Sequence, residues 1–410
     1  MRKLRNIAYM AMIITGGISG LTSCNSDEPG NEIKEAALMK IELKTEQIPY
    51  VEASNQFADN LWIKLNENHE MQGKNFVFSP LSLQMSLSLL ANGASGETLQ
   101  EIIDVLLPEF NGTASIETLN DLNRTLIEKL PQTDTNAKYA LANAVWLDRN
   151  ISPLQSFVDR TSKYYGAFFF NFVPGSESAK TAINQWCSDA TSGLIQDFLK
   201  KAPLSKAILL NALFFQHTWK RRFDPAKTKE ENFYCESGVM NKVKMMNDEF
   251  HSEIFVGEKN WMIRRPYGNG AFVMELYKPI EGATVAEALA EGAGEVYTRD
   301  IRLKMPKFKL TSDIDLRDLL VEMGLENALD KTSDYSALAE VPLIFEEVMQ
   351  TIRIEVDEDG TKIAAVSGVG GDIAALPSEK IDFYLDHPFG YIIRETSTNA
   401  VLAMGKICEL

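Results

Sequence analysis

A chain of 410 residues with 45% hydrophobic content can bury a large core, either as one big domain or as two or three ordinary ones. Its formal charge of −16 and pI near 4.9 argue against nucleic acid and anionic membrane surfaces as partners, and favour cationic proteins instead.

The chain opens with MRKLRNIAYMAMIITGGISGLTSC, in which Arg2, Lys3 and Arg5 precede an apolar run to Leu21 and then small residues. This is the pattern of a signal peptide; the run is glycine-broken and short for a transmembrane span of about 20 residues. LTSC resembles the lipobox of bacterial lipoproteins, which implies that Cys24 becomes the lipidated first residue and that the membrane is met only through lipid. The acidic, turn-rich NSDEPGNE that follows is similar to the tails that send some Gram-negative lipoproteins to the outer face of the outer membrane. The expected organisation is a signal peptide over 1–23, a lipidated acidic tether over 24–50 and a folded domain over 51–410, in an outer-membrane lipoprotein that is surface-exposed or faces the periplasm. Cys187, Cys235 and Cys408 are an odd number without C-x-x-C spacing, so they are expected as small buried hydrophobes, with no disulfide framework or zinc site.

From Val51 the pattern becomes regular. Phe57, Leu61 and Leu65 recur every four residues, as in an amphipathic helix. In NFVFSPLSLQMSLSLLANGASGET a short strand leads into a helix with Ser79 as N-cap, Pro80 in its first turn and Asn92-Gly93 at its end. Ser79, Ser82, Ser86 and Ser88 punctuate this otherwise apolar helix, so part of its buried face must hydrogen-bond. KYALANAVWLDR, AILLNALFFQHTWK, WMIRRPYGNGAFVMELYKP, RDIRLKMPKFKLTS and QTIRIEVDEDG read as strands; ESAKTAINQWCSDATSGLI and DLRDLLVEMGLENALD read as helices with glycine stops. Neither a repeat nor a long linker divides them, so one mixed α and β domain is expected to run to the end.

The sequence carries no motif for catalysis, cofactor or metal. His69, His217, His251 and His387 lack metal-binding spacing, and no G-x-S-x-G elbow precedes a helix. EDGTKIAAVSGVGGDIAALPSEK looks like a phosphate loop, but Gly368, Gly370 and Gly371 miss the G-x-G-x-x-G spacing, with Ile373 where the third glycine belongs. Between Gly360 and Leu376 the residues alternate without proline. Thr361, Ile363, Ala365, Ser367, Val369, Gly371 and Ile373 form a small, mostly apolar face, and Lys362 and Asp372 lie on the other. The segment suits both a strand and an exposed loop.

These stretches together resemble the serpin family. NFVFSPLSLQMSLSLLANGASGET is similar to its first core helix, INQWCSDATSGLIQDF to its N-x-W/Y…T-x-G-x-I segment and LLNALFFQHTWKRRFD to its N-x-x-F-F-x-x-x-W-x-x-x-F strand. IRLKMPKFKL, DLRDLLVEMGL, EVDEDGTKIAA and FYLDHPFGYIIRETSTNAVLAMGKI follow in family order. The resemblance implies an α+β fold of three β-sheets and eight to nine helices, monomeric, with a reactive loop over about 358–380 that a target serine protease cuts. The cut loop then inserts as a new central strand and drags the acylated protease with it. An added strand of about 15 residues is about 50 Å long, and about a dozen ladder bonds at about 1 kcal/mol each rival the stability of a whole domain, so the uncut state is expected to be metastable.

Carried over by position, Gly360, Thr361, Ala364 and Ala365 match the loop hinge, with Ile363 where a small residue is usual. Ser79, Ser82 and Asn211 match the polar cluster that controls sheet opening. Asn184 and Thr191 fall in the matching helix-and-strand segment, and Trp219 matches the tryptophan beneath the first point of insertion. Gln350 stands in place of the cluster's usual histidine and can still donate and accept, without a pH response. Ile363 is expected to overpack by about 1–3 kcal/mol and slow insertion; Gly390 stands where a large apolar residue is usual. The family's loop length places the reactive bond at Ala374-Ala375, with Ile373, Leu376 and Val369 as alternatives. A methyl side chain there suits the shallow pocket of an elastase-like protease, including cationic ones. A non-inhibitory serpin acting as a surface binding protein or as a protease substrate is the rival reading, and a surface hydrolase a more distant one. Lys220, Arg221 and Arg222 are expected only as a short solvated edge.

Overall fold

The computed structural model describes residues 37–361 and 380–410 except 194, 346 and 347, with backbone alone at 140, 211 and 212. The signal segment with Cys24 lies outside the described residues, as do Ile363, Ala364, Ala365, Val369, Ile373, Ala374, Ala375 and Leu376.

In chain order the elements are α1 (Ile48–Glu67), β1 (Phe76–Phe78), α2 (Pro80–Ala91), α3 (Gly96–Leu106), α4 (Ile116–Thr133), β2 (Lys138–Asp148), α5 (Gln155–Tyr165), β3 (Phe168–Phe172), α6 (Glu177–Ala190), β4 (Ala207–Thr218), β5 (Lys229–Tyr234), β6 (Met240–Val256), β7 (Asn260–Pro266) and β8 (Phe272–Pro279). There follow α7 (Val285–Glu291), β9 (Glu295–Pro306), β10 (Phe308–Asp315), α8 (Arg317–Glu322), β11 (Met349–Val356), β12 (Gly360–Thr361), β13 (Lys380–Tyr384), β14 (Phe389–Glu395) and β15 (Val401–Ile407). Eight α-helices are therefore present among the described residues.

One sheet has six strands in the order β10-β11-β12-β4-β2-β3. The other nine strands form a path β1-β15-β14-β8-β7-β6-β9-β13, with β5 also on β6. This path is two sheets joined by the long β6. Most of β6 pairs with β5 and β9, and only its end reaches β7, through Ile254, Phe255 and Val256.

The first helix buries Phe57, Leu61 and Leu65 completely. It begins at Ile48 rather than Val51, with Pro49 in its first turn, where the missing N–H costs nothing. The folded body also takes in part of the expected tether. Ile41 is buried with its N–H on Ser397 Oγ at 2.9 Å, and the buried Gln47 side chain donates to Thr125 Oγ1. Apolar burial and long-range hydrogen bonds, rather than charge alone, set that boundary.

Ser79 caps α2 by accepting the Ser82 N–H at 3.1 Å. Apart from Ser86, every residue of α2 is buried, so its polar groups need internal partners. Gln84 donates to Asn123 at 2.9 Å, Ser88 to the Gln84 carbonyl at 2.6 Å and Asn92 to Asn120 at 2.9 Å. Tyr165 on α5 also donates to Asn120. A second, smaller core lies under α6, where Ile183 and Cys187 meet Ala144, Trp146, Phe172 and Leu210. Cys187, Cys235 and Cys408 are free and buried, and burial pushes the Cys187 thiol up to about 12.

Gly390 has a packing reason. A Cβ there would lie 3.0 Å from Leu289 Cδ1 and 3.3 Å from Val285 Cγ1, so its absence lets α7 sit close on β14. No helix among the described residues is long and apolar enough to cross a membrane.

Candidate functional site at the head of the six-stranded sheet

The strand β12 is only Gly360 and Thr361, yet it has a neighbour on both sides. Thr361 pairs with Val356 of β11 and with His217 of β4, and Gly360 pairs with Thr218. Among the described residues β4 and β11 do not pair with each other; β12 stands between them at one end. A Cβ at Gly360 would collide with the His217 carbonyl and lie 2.6 Å from Thr218 Cα. Close backbone approach therefore requires glycine here.

The turn leading into β12 is fastened from below. Trp219 is buried and donates its indole N–H to the Asp357 carbonyl at 2.9 Å and its backbone N–H to the Asp359 carbonyl at 2.8 Å. The Phe223 N–H donates to the Glu358 carbonyl at 3.0 Å. The Glu358 carboxylate accepts from Lys307 Nζ at 2.6 Å and Thr228 Oγ1 at 2.8 Å. Burial opposes its charge, but these hydrogen bonds prevail and hold it below the usual carboxylate range. Arg222 pairs with Asp359 at 3.3 Å and Arg221 with Asp248 at 3.2 Å. The expected solvated edge is thus partly a clamp, because the carboxylates it meets are far away in sequence.

Thr361 turns its hydroxyl inward, 2.6 Å from the Tyr267 hydroxyl. Tyr267 is fully buried and stacks with Trp219, ring centroids 4.5 Å apart, and with His217 at 5.9 Å. His217 Nε2 lies 2.9 Å from Asp134 Oδ2. Beyond Thr361, a small opening between β4 and β11 is lined by Thr191, Ile195, Leu213, Phe214, Phe215 and Arg353. Thr191 closes the end of α6, donating to the Cys187 carbonyl and accepting the Ile195 N–H.

At the far end of β11, Gln350 and the start of α2 are joined. Gln350 Oε1 accepts the Ser79 N–H at 2.9 Å, and Gln350 Nε2 donates to the Ser79 carbonyl at 3.0 Å. Ser79 Oγ donates to the Leu402 carbonyl at 2.5 Å. Ser79 and Ser82 are buried with Gln350. Asn211 is placed by its backbone on β4, opposite Asn143 of β2. Asn184 does not join this group. Its side chain donates to the Leu199 carbonyl at 3.0 Å and accepts the Leu199 N–H at 2.7 Å, fastening α6 to the segment after it.

Sequence reading missed Tyr267, Asp134 and the role of His217. The first is one tyrosine in a strand-turn-strand run, and the other two are 83 positions apart.

Comparison with known proteins agrees with this arrangement. The family model described as "Serpin (serine protease inhibitor)" matches residues 52–410. An uncharacterized serpin-like protein of Methanosarcina mazei is 27% identical over 372 residues, covering 87% of this chain and 86% of its own. A serine protease inhibitor of Cyanea capillata is 29% identical over 357 residues, 82% of this chain and 92% of its own. The crystal structure of tengpin, a thermophilic serpin, in its native state superposes with a TM-score of 0.80 at 27% identity, over 92% of this chain and 97% of that one. With a gapped six-stranded sheet, a loop start seated in the gap and a family match over nearly the whole folded body, this chain belongs to the serpin family.

Proposed function

We propose that the protein is a serine protease inhibitor that traps an elastase-like enzyme by loop cleavage and strand insertion. Serpins are mostly inhibitors rather than catalysts. The observation that carries the reading is β12: Gly360 and Thr361 already occupy the first places of a strand between β11 and β4.

Continuing that register moves each further loop residue one place back along both neighbours. Ile363 would then fall opposite Phe215 and Ile354, and Ser367 opposite Asn211 and Gln350. Residues two apart share a face, so Ile363 would point with Thr361 into the core, beside the Phe215 ring. The inserted loop would pass over the Ser79–Gln350 cluster midway along its run, and that cluster has to yield as β4 and β11 separate. Ala374-Ala375 is the proposed reactive bond, with Ile373, Leu376 and Val369 as displaced alternatives, and the charge of −16 favours a cationic protease. The chain acts as a monomer held by lipid on Cys24 at the outer membrane, its acidic tether spacing the inhibitor from the surface.

The test is to mix protein lacking residues 1–24 with an elastase and run a denaturing gel. A boil-stable band at the summed mass supports the reading, provided that it disappears with Ala374→Arg. Cleavage near residue 374 without that band supports a substrate, and no cleavage a binding protein.

A further inference from the structure

At the seat of β12, His217 is tied on one side to the end of α4 and on the other to the strand that receives the loop. Thr218 N–H donates to His217 Nδ1 at 3.0 Å. A backbone N–H can only donate, so Nδ1 must be the acceptor, and the ring's proton sits on Nε2, aimed at Asp134 Oδ2. That oxygen also accepts the Asn269 N–H at 2.8 Å, while Asp134 Oδ1 accepts the Asn136 N–H. Both side chains of the pair are almost wholly buried. Gly268 makes room for them: a Cβ there would collide with the imidazole and with Asp134 Oδ2.

The surroundings leave Asp134 as the charged partner of the ring. Tyr267 stacks on it, its phenol kept neutral by burial, and Phe215 and Phe272 meet it edge-on. Arg265 on β7 faces Asp248 and the Trp219 ring instead. Lys138 on β2 falls opposite Gln216, and the acidic residues of the 357–359 turn that bear ion pairs, Glu358 and Asp359, hold Lys307 and Arg222.

We propose that His217 is a positioning residue for loop insertion, and that its protonation loosens the seat of Gly360 and Thr361. A proton on Nδ1 turns the acceptor into a donor, so the Thr218 N–H loses its partner. Thr218 is the register partner of Gly360, and its carbonyl accepts the Gly268 N–H, so the disturbance falls on the first inserted pair. Burial pushes His217 below its ordinary value, with Asp134 working the other way. The unfolded chain therefore takes the proton first. The stability contributed is full above the unfolded pKa of about 6.5 and is lost as pH falls through the folded one. Resting on the inhibitory reading, this device shifts the reaction from trapping toward turnover in acid.

The experiment is an imidazole nitrogen NMR titration of the intact, uncut chain. His217 should remain neutral, with its proton on Nε2, at pH values below the ordinary histidine value of about 6.5. As it titrates, the Thr218 amide protection factor should drop by about tenfold, the equivalent of one lost hydrogen bond. Titration of His217 at or above that ordinary value, or an unchanged Thr218 protection factor, would overturn the proposal. Because no protease is involved, either result is independent of whether the chain inhibits. The partition between trapped and turned-over protease, measured from pH 7.5 to 5.5 for the wild type and His217→Phe, then tests the coupling: the wild type should lose trapping in acid and the variant should not.

Discussion

Gln350 holds Ser79 by both of its backbone groups, accepting the N–H and donating to the carbonyl. This one amide joins β11 to the start of α2 at the place where the sheet must part. Gln350→Ala would leave the buried Ser79 N–H without a partner, while the Ser79 carbonyl keeps the Leu83 N–H at 3.1 Å, a cost of about 1–3 kcal/mol. Urea unfolding of the uncut protein should show that loss, and the loss should be independent of pH between 5 and 8 because no group in the contact titrates there.

The clamp on Glu358 gives a prediction with a definite sign. Its carboxyl is held below the usual range in the folded chain, so its contribution is present above the unfolded value and is lost as pH falls through the folded one. Glu358→Gln should therefore be less stable than the wild type at pH 7, with the gap closing below about pH 4.5. Thermal midpoints across that range check it.

Ile363 is the residue most at odds with smooth insertion. If it lands beside Phe215, Ile363→Ala should relieve about 1–3 kcal/mol of overpacking and raise the share of protease trapped per loop cut. Titration of active elastase with each variant reads that ratio directly.

Gly390→Leu should destabilise the chain by about 1–3 kcal/mol, because the new side chain meets Leu289 and Val285. Pairing it with Leu289→Ala should recover part of the loss, which a double-mutant cycle in urea would resolve.

These residues differ in how far the sequence discloses them. The periodicity of Phe57, Leu61 and Leu65 and the Ser79-Pro80 cap are local signals, and the helices start where such signals lie or close by. The buried serines of α2 announced a need for partners but not their identity, since Gln350 is 271 positions away. Gly390 looked anomalous because its reason is a helix packing across β14. Family position places Asn184 in the helix-and-strand segment but does not name its partner, Leu199, whose backbone it holds by two hydrogen bonds. The His217–Asp134 pair left no trace, because a buried contact between an isolated histidine and a helix-end carboxylate has no spacing rule.

The most direct test of the central claim is the stability of the chain before and after a single cut near residue 374. Insertion between β4 and β11 predicts a large rise in the thermal midpoint, together with new hydrogen-exchange protection along both strands. An unchanged midpoint with no new protection in β4 and β11 would contradict it, whatever protease made the cut.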